Sequence, residues 1–270
     1  MTEDSVSGQL TSAESALAAF WQSVIASQRR LCAKYDSLLP AELRVDGCSR
    51  FKSALVLPHV KSGMLVYDVG GGKRPFFSPG QKLELGIRVV GLDISAAELA
   101  AAPAGSYDKV VRADVGEAAG EGDADLVVCQ AVLEHVRDTE RALAAIASML
   151  APGGKALIFV PCRNALFARL NRLLPQKWKK RLLFGLFPHV RAAQGFPSFY
   201  DRCTPDEFRA IGAAHQLTCE QETCFYMSAY FSFFLPFYLL WRFWMLLART
   251  VGGAQYCETF AMVLCKTAPR

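Results

Sequence analysis

Apolar positions along the chain fall into two alternating rhythms. Short runs recur at Met64–Val69, Ile87–Leu92, Lys109–Arg112, Ala124–Cys129 and Ala156–Val160. Continuous rather than alternating runs of this length predict strands covered on both faces, and so a parallel sheet. Two last strands are predicted at Leu217–Phe225 and Thr259–Lys266. Helix signals lie between the runs. Ser95 with Glu98 has capping-box spacing, and Asp138 caps a helix over Thr139–Leu150 whose Leu143, Ile146, Ala147 and Leu150 share a face. Thr204, Pro205 and Glu207 open a helix reaching about His215. Pro152-Gly153-Gly154 is predicted to turn the chain into the fifth strand.

Upstream, Leu17, Phe20, Trp21, Val24, Ile25, Leu31 and Cys32 recur at helical spacing and predict an amphipathic helix over roughly 12–35. Pro40 closes that region, and Phe51–Val60 reads as a second helix feeding the first strand. Residues 1–62 are therefore expected to form a helical arm, packed on the sheet or serving as a lid. Residues 63–270 are expected to form one α/β domain with insertions at 163–195 and 226–254.

Charge and hydropathy sharpen those two insertions. Residues 163–191 carry eight Lys/Arg and no Asp or Glu, within a chain whose net charge is +5. Leu166, Phe167, Leu170, Leu173 and Leu174 share one helical face; Pro175 breaks it, and Trp178, Leu182 and Leu186 start another. A basic amphipathic helix of this kind reads as binding an anionic membrane surface. A solvated substrate-binding insertion is the alternative. Nucleic acid is disfavoured as a partner because apolar bulk outweighs polar base-reading residues. Phe225–Trp241 holds no charge, and the apolar run continues past Arg242 to Leu247. Length alone admits a membrane span, but the stretch between the last two strands is too short for two passes of about 20 residues each. A re-entrant or interfacial helical insertion is expected, with a buried helix pair or dimer interface as the alternative; the oligomeric state is open.

The nine cysteines include no CxxC pair, which argues against a zinc site and a disulfide framework and for a reducing compartment. Residues 1–10 carry Glu3 and Asp4 and no basic residue, unlike the n-region of a secretory leader. The expected location is cytoplasmic, with peripheral or monotopic association at the cytoplasmic face of the inner membrane.

The chemistry concentrates at Leu65–Gly72, which reads LVYDVGGG. A strand running into glycines presents backbone N–H groups to a nucleotide-like ligand. A second acid, Asp93, ends the next run, Asp114 follows the third, and Cys129-Gln130 closes the fourth. All of these fall at the carboxyl ends of strands, where open α/β sheets bind ligands.

Five segments together resemble class I S-adenosylmethionine-dependent methyltransferases of the methyltransferase type 11 kind. They are Asp68-Val-Gly-Gly-Gly72, Gly91-Leu-Asp-Ile-Ser95, Arg112-Ala-Asp-Val115, Asp125-Leu-Val-Val-Cys-Gln-Ala-Val-Leu-Glu-His-Val136 and Leu150-Ala-Pro-Gly-Gly154. The resemblance implies a Rossmann-like, doubly wound, seven-stranded sheet with its last strand antiparallel, and S-adenosylmethionine as cofactor. It implies that Asp68, Gly70, Gly71 and Gly72 hold the amino-acid part of the cofactor. Asp93 would accept from both ribose hydroxyls with Ile94 beside it, Asp114 would take the adenine amino group with the Val115 N–H at the ring, and Cys129 and Gln130 would line the methionyl group. The family's third glycine falls at position 74, which is Arg here, within Lys73-Arg74-Pro75.

Glu134-His135 admits three readings: ordering the segment after strand 4, a base or acceptor contact, or part of a metal site. His135 is the candidate catalytic residue, because imidazole serves as a base near neutral pH, and no metal is assigned. The expected function is O-methylation of a lipophilic or lipid-linked acceptor at a membrane surface. A polyprenyl-linked sugar of a surface polysaccharide and a quinone precursor are the main candidates, and the plan also resembles quinone-pathway O-methyltransferases. The alternatives are a soluble small-molecule methyltransferase with the apolar insertion closing a dimer, and a non-catalytic module built on the same sheet.

Overall fold

The computed structural model describes residues 12–173, 196–228 and 230–267. Its seven-stranded sheet has the order β3-β2-β1-β4-β5-β7-β6. The strands are β1 Leu65–Val69, β2 Arg88–Asp93, β3 Lys109–Arg112, β4 Ala124–Gln130, β5 Leu150–Pro161, β6 Leu217–Phe225 and β7 Thr259–Lys266. β1 to β5 pair in parallel, and β7 runs antiparallel between β5 and β6.

The side-chain period of two sorts the apolar strands onto two cores. Val127, Cys129, Ile158 and Met262 pack with α5 (Thr139–Met149), α7 (Pro205–Ala214) and Ala168 of α6 (Leu166–Leu173). Leu126, Val128, Leu157 and Val263 pack on the opposite face with Phe51, Leu55, Val56, Phe76 and Phe77. Burial on both faces is why these strands read as unbroken apolar runs.

Capping side chains set the helix starts. The Ser95, Asp138 and Thr204 side chains accept from the backbone N–H three residues on, opening α4 (Ala96–Ala100), α5 and α7. The glycine turn after β1 does not run straight into a helix. Lys73–Ser78 intervenes, and α3 (Pro79–Leu85) begins with Pro79 behind a complete Ser78–Gln81 capping box.

Two local expectations change. Pro152-Gly153-Gly154 does not precede β5 but bulges within it. Leu150 is already extended and pairs with Ala124, and pairing resumes at Lys155 opposite Leu126. The predicted 51–60 helix starts earlier, as α2 (Gly47–Arg50) behind an Asp46 cap, and continues through a π turn over Phe51–Val56 and a 3-10 turn over Leu57–His59.

Two long helices lie beside this frame, α1 (Ser12–Asp36) and α8 (Leu235–Gly252). α8 is apolar almost all round. Tyr238, Trp241, Met245 and Ala248 are buried with Arg242, whereas Phe237, Leu240, Phe243, Leu247 and Val251 are exposed. Its inner face packs on Cys32 of α1 and Leu166 of α6. Arg242 is fully buried, donating to Asp36 of α1 (2.7 Å) and to the Leu43 (3.2 Å) and Tyr226 (2.7 Å) carbonyls. Among the described residues no helix is long and apolar enough to cross a membrane. The expected helix around Trp178, Leu182 and Leu186 lies outside the described residues.

Candidate active site

Parallel register aligns the strand ends. Val69 lies opposite Leu92 and Cys129, and Asp93 lies opposite Arg112. The residues just past those ends border a cavity of about 570 Å³. Of the residues implicated by sequence, Gly70, Asp93, Ile94, Asp114, Val115 and His135 line it. Val132, Val136, Phe196 and Phe199 supply apolar walls. A cavity lined by both carboxylates and hydrocarbon suits a nucleoside, whose sugar is polar and whose base has apolar faces.

Backbone geometry explains two of the glycines. Gly70 sits at φ +76°, and a Cβ there would lie 2.3 Å from Val132 Cγ2. Gly72 sits at φ +47°, with Asp93 Oδ2 2.9 Å from where its Cβ would be. Both the left-handed conformation and the crowding exclude larger residues. Position 74 is not among the left-handed residues, so glycine is not needed there. The Arg74 N–H closes the turn onto the Gly71 carbonyl at 2.8 Å, its side chain is exposed, and Lys73 pairs with Glu98 at 2.9 Å.

Asp68 faces the turn, not the cavity. Its Oδ2 accepts from the Phe76 N–H at 2.7 Å, and the Tyr107 hydroxyl lies 3.4 Å away. Burial pushes its pKa up to about 6. Tyr107, which sequence reasoning missed, also donates to the Gly72 carbonyl at 3.0 Å. Gly71, over the Asp68 carboxylate, and Gly72 likewise lie outside the cavity lining. Cys129 is fully buried in the core, and Gln130 turns toward α2, its Nε2 2.8 Å from Cys48 Sγ.

Two of the cavity's acids, those implicated by sequence, are each held by one oxygen. Asp93 Oδ1 accepts from the Ser95 N–H (2.8 Å) and Asp114 Oδ1 from the Gly116 N–H (2.9 Å). Each carboxylate keeps further acceptor capacity for a ligand.

Glu134 and His135 lie in a 3-10 turn just past β4. His135 Nδ1 is 3.0 Å from the Pro197 carbonyl. A carbonyl only accepts, so Nδ1 carries the hydrogen and, in the neutral ring, Nε2 carries the lone pair. Glu134 is buried, its Oε2 has no partner, and burial pushes its pKa up to about 8. At pH 7 it is therefore mainly neutral, and its 3.8 Å separation from His135 Nε2 is not an ion pair. The Glu134 carbonyl accepts the N–H groups of Phe199 (2.8 Å) and Tyr200 (3.0 Å). The pair thus clamps the 196–204 segment over the cavity. In that segment Tyr200 and Arg202 adopt φ of +54° and +47°, and Ala131, next to the β4 end, adopts +55°. Such strain in non-glycine residues gathers at functional sites.

The model of a methyltransferase-domain family matches residues 38–222, more than half of the chain. The chain belongs to the class I S-adenosylmethionine-dependent methyltransferases. This methyltransferase is 33% identical over 139 residues to a ubiquinone biosynthesis O-methyltransferase of Marinobacter nauticus, a match covering 44% of the chain and 58% of the relative. It thus spans little more than half of that relative's length. It is 32% identical over 183 residues to a ubiquinone biosynthesis O-methyltransferase of Rhizobium etli, covering 62% of the chain and 70% of the relative. An S-adenosylmethionine-dependent methyltransferase structure from Mesorhizobium loti shares the fold, with a TM-score of 0.53 at 17% identity, over 82% of this chain and 99% of that one. S-adenosylmethionine is the cofactor. The residues present fit it: the left-handed glycine turn that admits no side chain, two carboxylates with acceptor capacity, and apolar walls for a base.

Proposed function

We propose that this methyltransferase methylates an oxygen of a lipophilic acceptor, quinone-like or lipid-linked, which it takes from a membrane surface. The observation that carries the membrane part is the outer face of α8. Leu240 and Phe243 are 66% and 65% exposed there. Large apolar surface left in water marks an interaction site. Phe20 and Trp21 of α1 are exposed as well, and the eight basic residues of 163–191 complement an anionic bilayer. The inner face of the same helix reaches the carboxyl end of β5. Trp241 Nε1 donates to Glu258 at 2.9 Å, and the Glu258 carbonyl accepts the N–H of Cys162, at the carboxyl end of β5, at 3.0 Å. The two relatives named above, both ubiquinone biosynthesis O-methyltransferases, support oxygen as the methylated atom and a quinone-like acceptor.

In this reading Asp93 accepts from the ribose hydroxyls, with Ile94 beside the sugar. Asp114 and the Val115 N–H read the adenine edge. Gly70, Gly71 and Gly72 bring backbone to the amino-acid part, and Asp68 acts through the turn it holds. S-adenosylmethionine supplies, when bound, a methyl group on a positively charged sulfur. The protein's task is in-line positioning of the acceptor oxygen. As the C–O bond forms the methyl C–S bond breaks and the acceptor loses its proton, for which His135 Nε2 is the base assigned.

The test is incubation with a lipid extract and isotopically labelled cofactor, followed by intact-mass analysis. Label in a lipid-soluble product is expected; label confined to water-soluble products overturns the acceptor class. Titration with S-adenosylhomocysteine checks the cofactor residues separately. Unchanged binding in Asp93→Ala refutes the role given to Asp93, and no binding by wild type favours the non-catalytic module.

A further inference from the structure

We infer that Arg163, Arg169 and Arg172 form a phosphate-binding site at the carboxyl end of β5, apart from the methyl-transfer cavity. The three arginines line an open cleft of about 490 Å³ with Asn164, Thr204, Glu207, Gln255 and Tyr256. No residue of this cleft lines the cofactor cavity. The inference does not rest on the methyl-transfer reading.

The cleft is built on fixed backbone. The Arg163 N–H donates to the Cys203 carbonyl at 2.8 Å. Asn164 Nδ2 donates to the Gln255 carbonyl at 2.9 Å, joining the start of α6 to the turn after α8. The Arg169 guanidinium lies over the Tyr256 ring, 5.3 Å from its centroid. Stacking of this kind restricts where the planar donor fork can go.

Charge decides what the cleft takes. Three guanidinium groups face one carboxylate, Glu207, which lies 3.5 Å from Arg163 and accepts from the Thr204 hydroxyl at 2.8 Å. The Arg172 side chain makes no hydrogen bond or ion pair with any described residue, and it is exposed. The excess of two positive charges matches a phosphate monoester dianion, whose oxygens take guanidinium N–H pairs. A carboxylate would leave one of the two in excess. Beside the cleft, Leu166 packs on the Tyr238–Trp241 cluster, and Leu170 and Leu173 of the same helix are exposed. That apolar strip suits a ligand whose phosphate is attached to a hydrocarbon body.

Such a phosphate has two sources, a phosphorylated small ligand or the monoester headgroup of phosphatidic acid. The probes are phenyl phosphate in solution, and vesicles containing phosphatidic acid against vesicles of phosphatidylcholine alone, with wild type and Arg169→Gln/Arg172→Gln. Wild type is expected to bind phenyl phosphate, and the double variant to bind it more weakly by on the order of tenfold or more per arginine, with unchanged affinity for S-adenosylhomocysteine. Phosphatidic acid binding that is lost in the variant, without phenyl phosphate binding, supports the site with a headgroup as its source. No binding to either probe, or equal binding by wild type and variant, overturns the inference. Arg172→Gln alone, at an exposed position, decides the question if the double variant does not fold. Retained binding of S-adenosylhomocysteine separates failure here from failure of the cofactor assignment.

Discussion

The Asp36 carboxylate and the Arg242 guanidinium meet at 2.7 Å inside the protein, with side-chain exposures of 8% and 0%. They join α1 to α8 across 206 residues of sequence. Removing one partner leaves the other charged and without water. Asp36→Ala is therefore expected to cost about 3–5 kcal/mol, read as a lower urea midpoint at unchanged slope. A loss below about 1 kcal/mol would mean that the pair behaves as a surface contact.

Glu134 makes stability depend on pH. Its carboxyl is raised by burial from 4.5 to about 8, so the folded protein holds the proton that the unfolded chain releases near 4.5. Its contribution is fully present below about pH 4.5 and is lost as pH rises toward 8. Glu134→Gln removes that dependence. The variant's melting temperature should gain on wild type between pH 5 and 8, by an amount corresponding to on the order of a few kcal/mol. Parallel melting curves across that range would show that Glu134 does not hold its proton.

Gly70→Ala puts a methyl group where Val132 already stands and forces a left-handed backbone on alanine. Affinity for S-adenosylhomocysteine is expected to fall by on the order of tenfold or more, since a misplacement near 1 Å is enough to disable a positioned site. Calorimetric titration measures it, and wild-type affinity in the variant would free the turn from the cofactor.

The outer face of α8 is tested by Leu240→Ser with Phe243→Ser. Both side chains point into solvent, so folding stability should change by no more than about 0.5 kcal/mol. Flotation with phosphatidylglycerol vesicles is expected to fall several-fold. A wild-type protein that never floats, and sediments as a stable dimer, would give this face to a second copy of the chain.

What could be read from sequence divides by range. Asp93 and Asp114 stood out because an acid ending an apolar run is a local signal, as are Ser95, Asp138 and Thr204 with their capping partners. Pro152-Gly153-Gly154 misled because a turn and a bulge use the same residues, and only the pairing of Leu150 with Ala124 tells them apart. Tyr107 was invisible because its partners, Asp68 and the Gly72 carbonyl, lie on another strand's turn. The strained Tyr200 and Arg202 carry no sequence mark, since both residue types normally avoid that conformation. Cys129 and Gln130 were assigned as a pair, but neighbours on a strand point to opposite faces, and here one enters the core and the other turns toward α2.

The bulge in β6 has a consequence for how this protein meets copies of itself. β3 and β6 are the two ends of the sheet, and an unpaired strand is a template for another chain. β3 is four residues long and carries Lys109 and Arg112 at its ends. The bulge between Cys219 and Gln221 interrupts β6, and Glu220 and Glu222 there are held by Lys155 and Arg209. Both borders are thus poor templates for pairing with a strand of another copy.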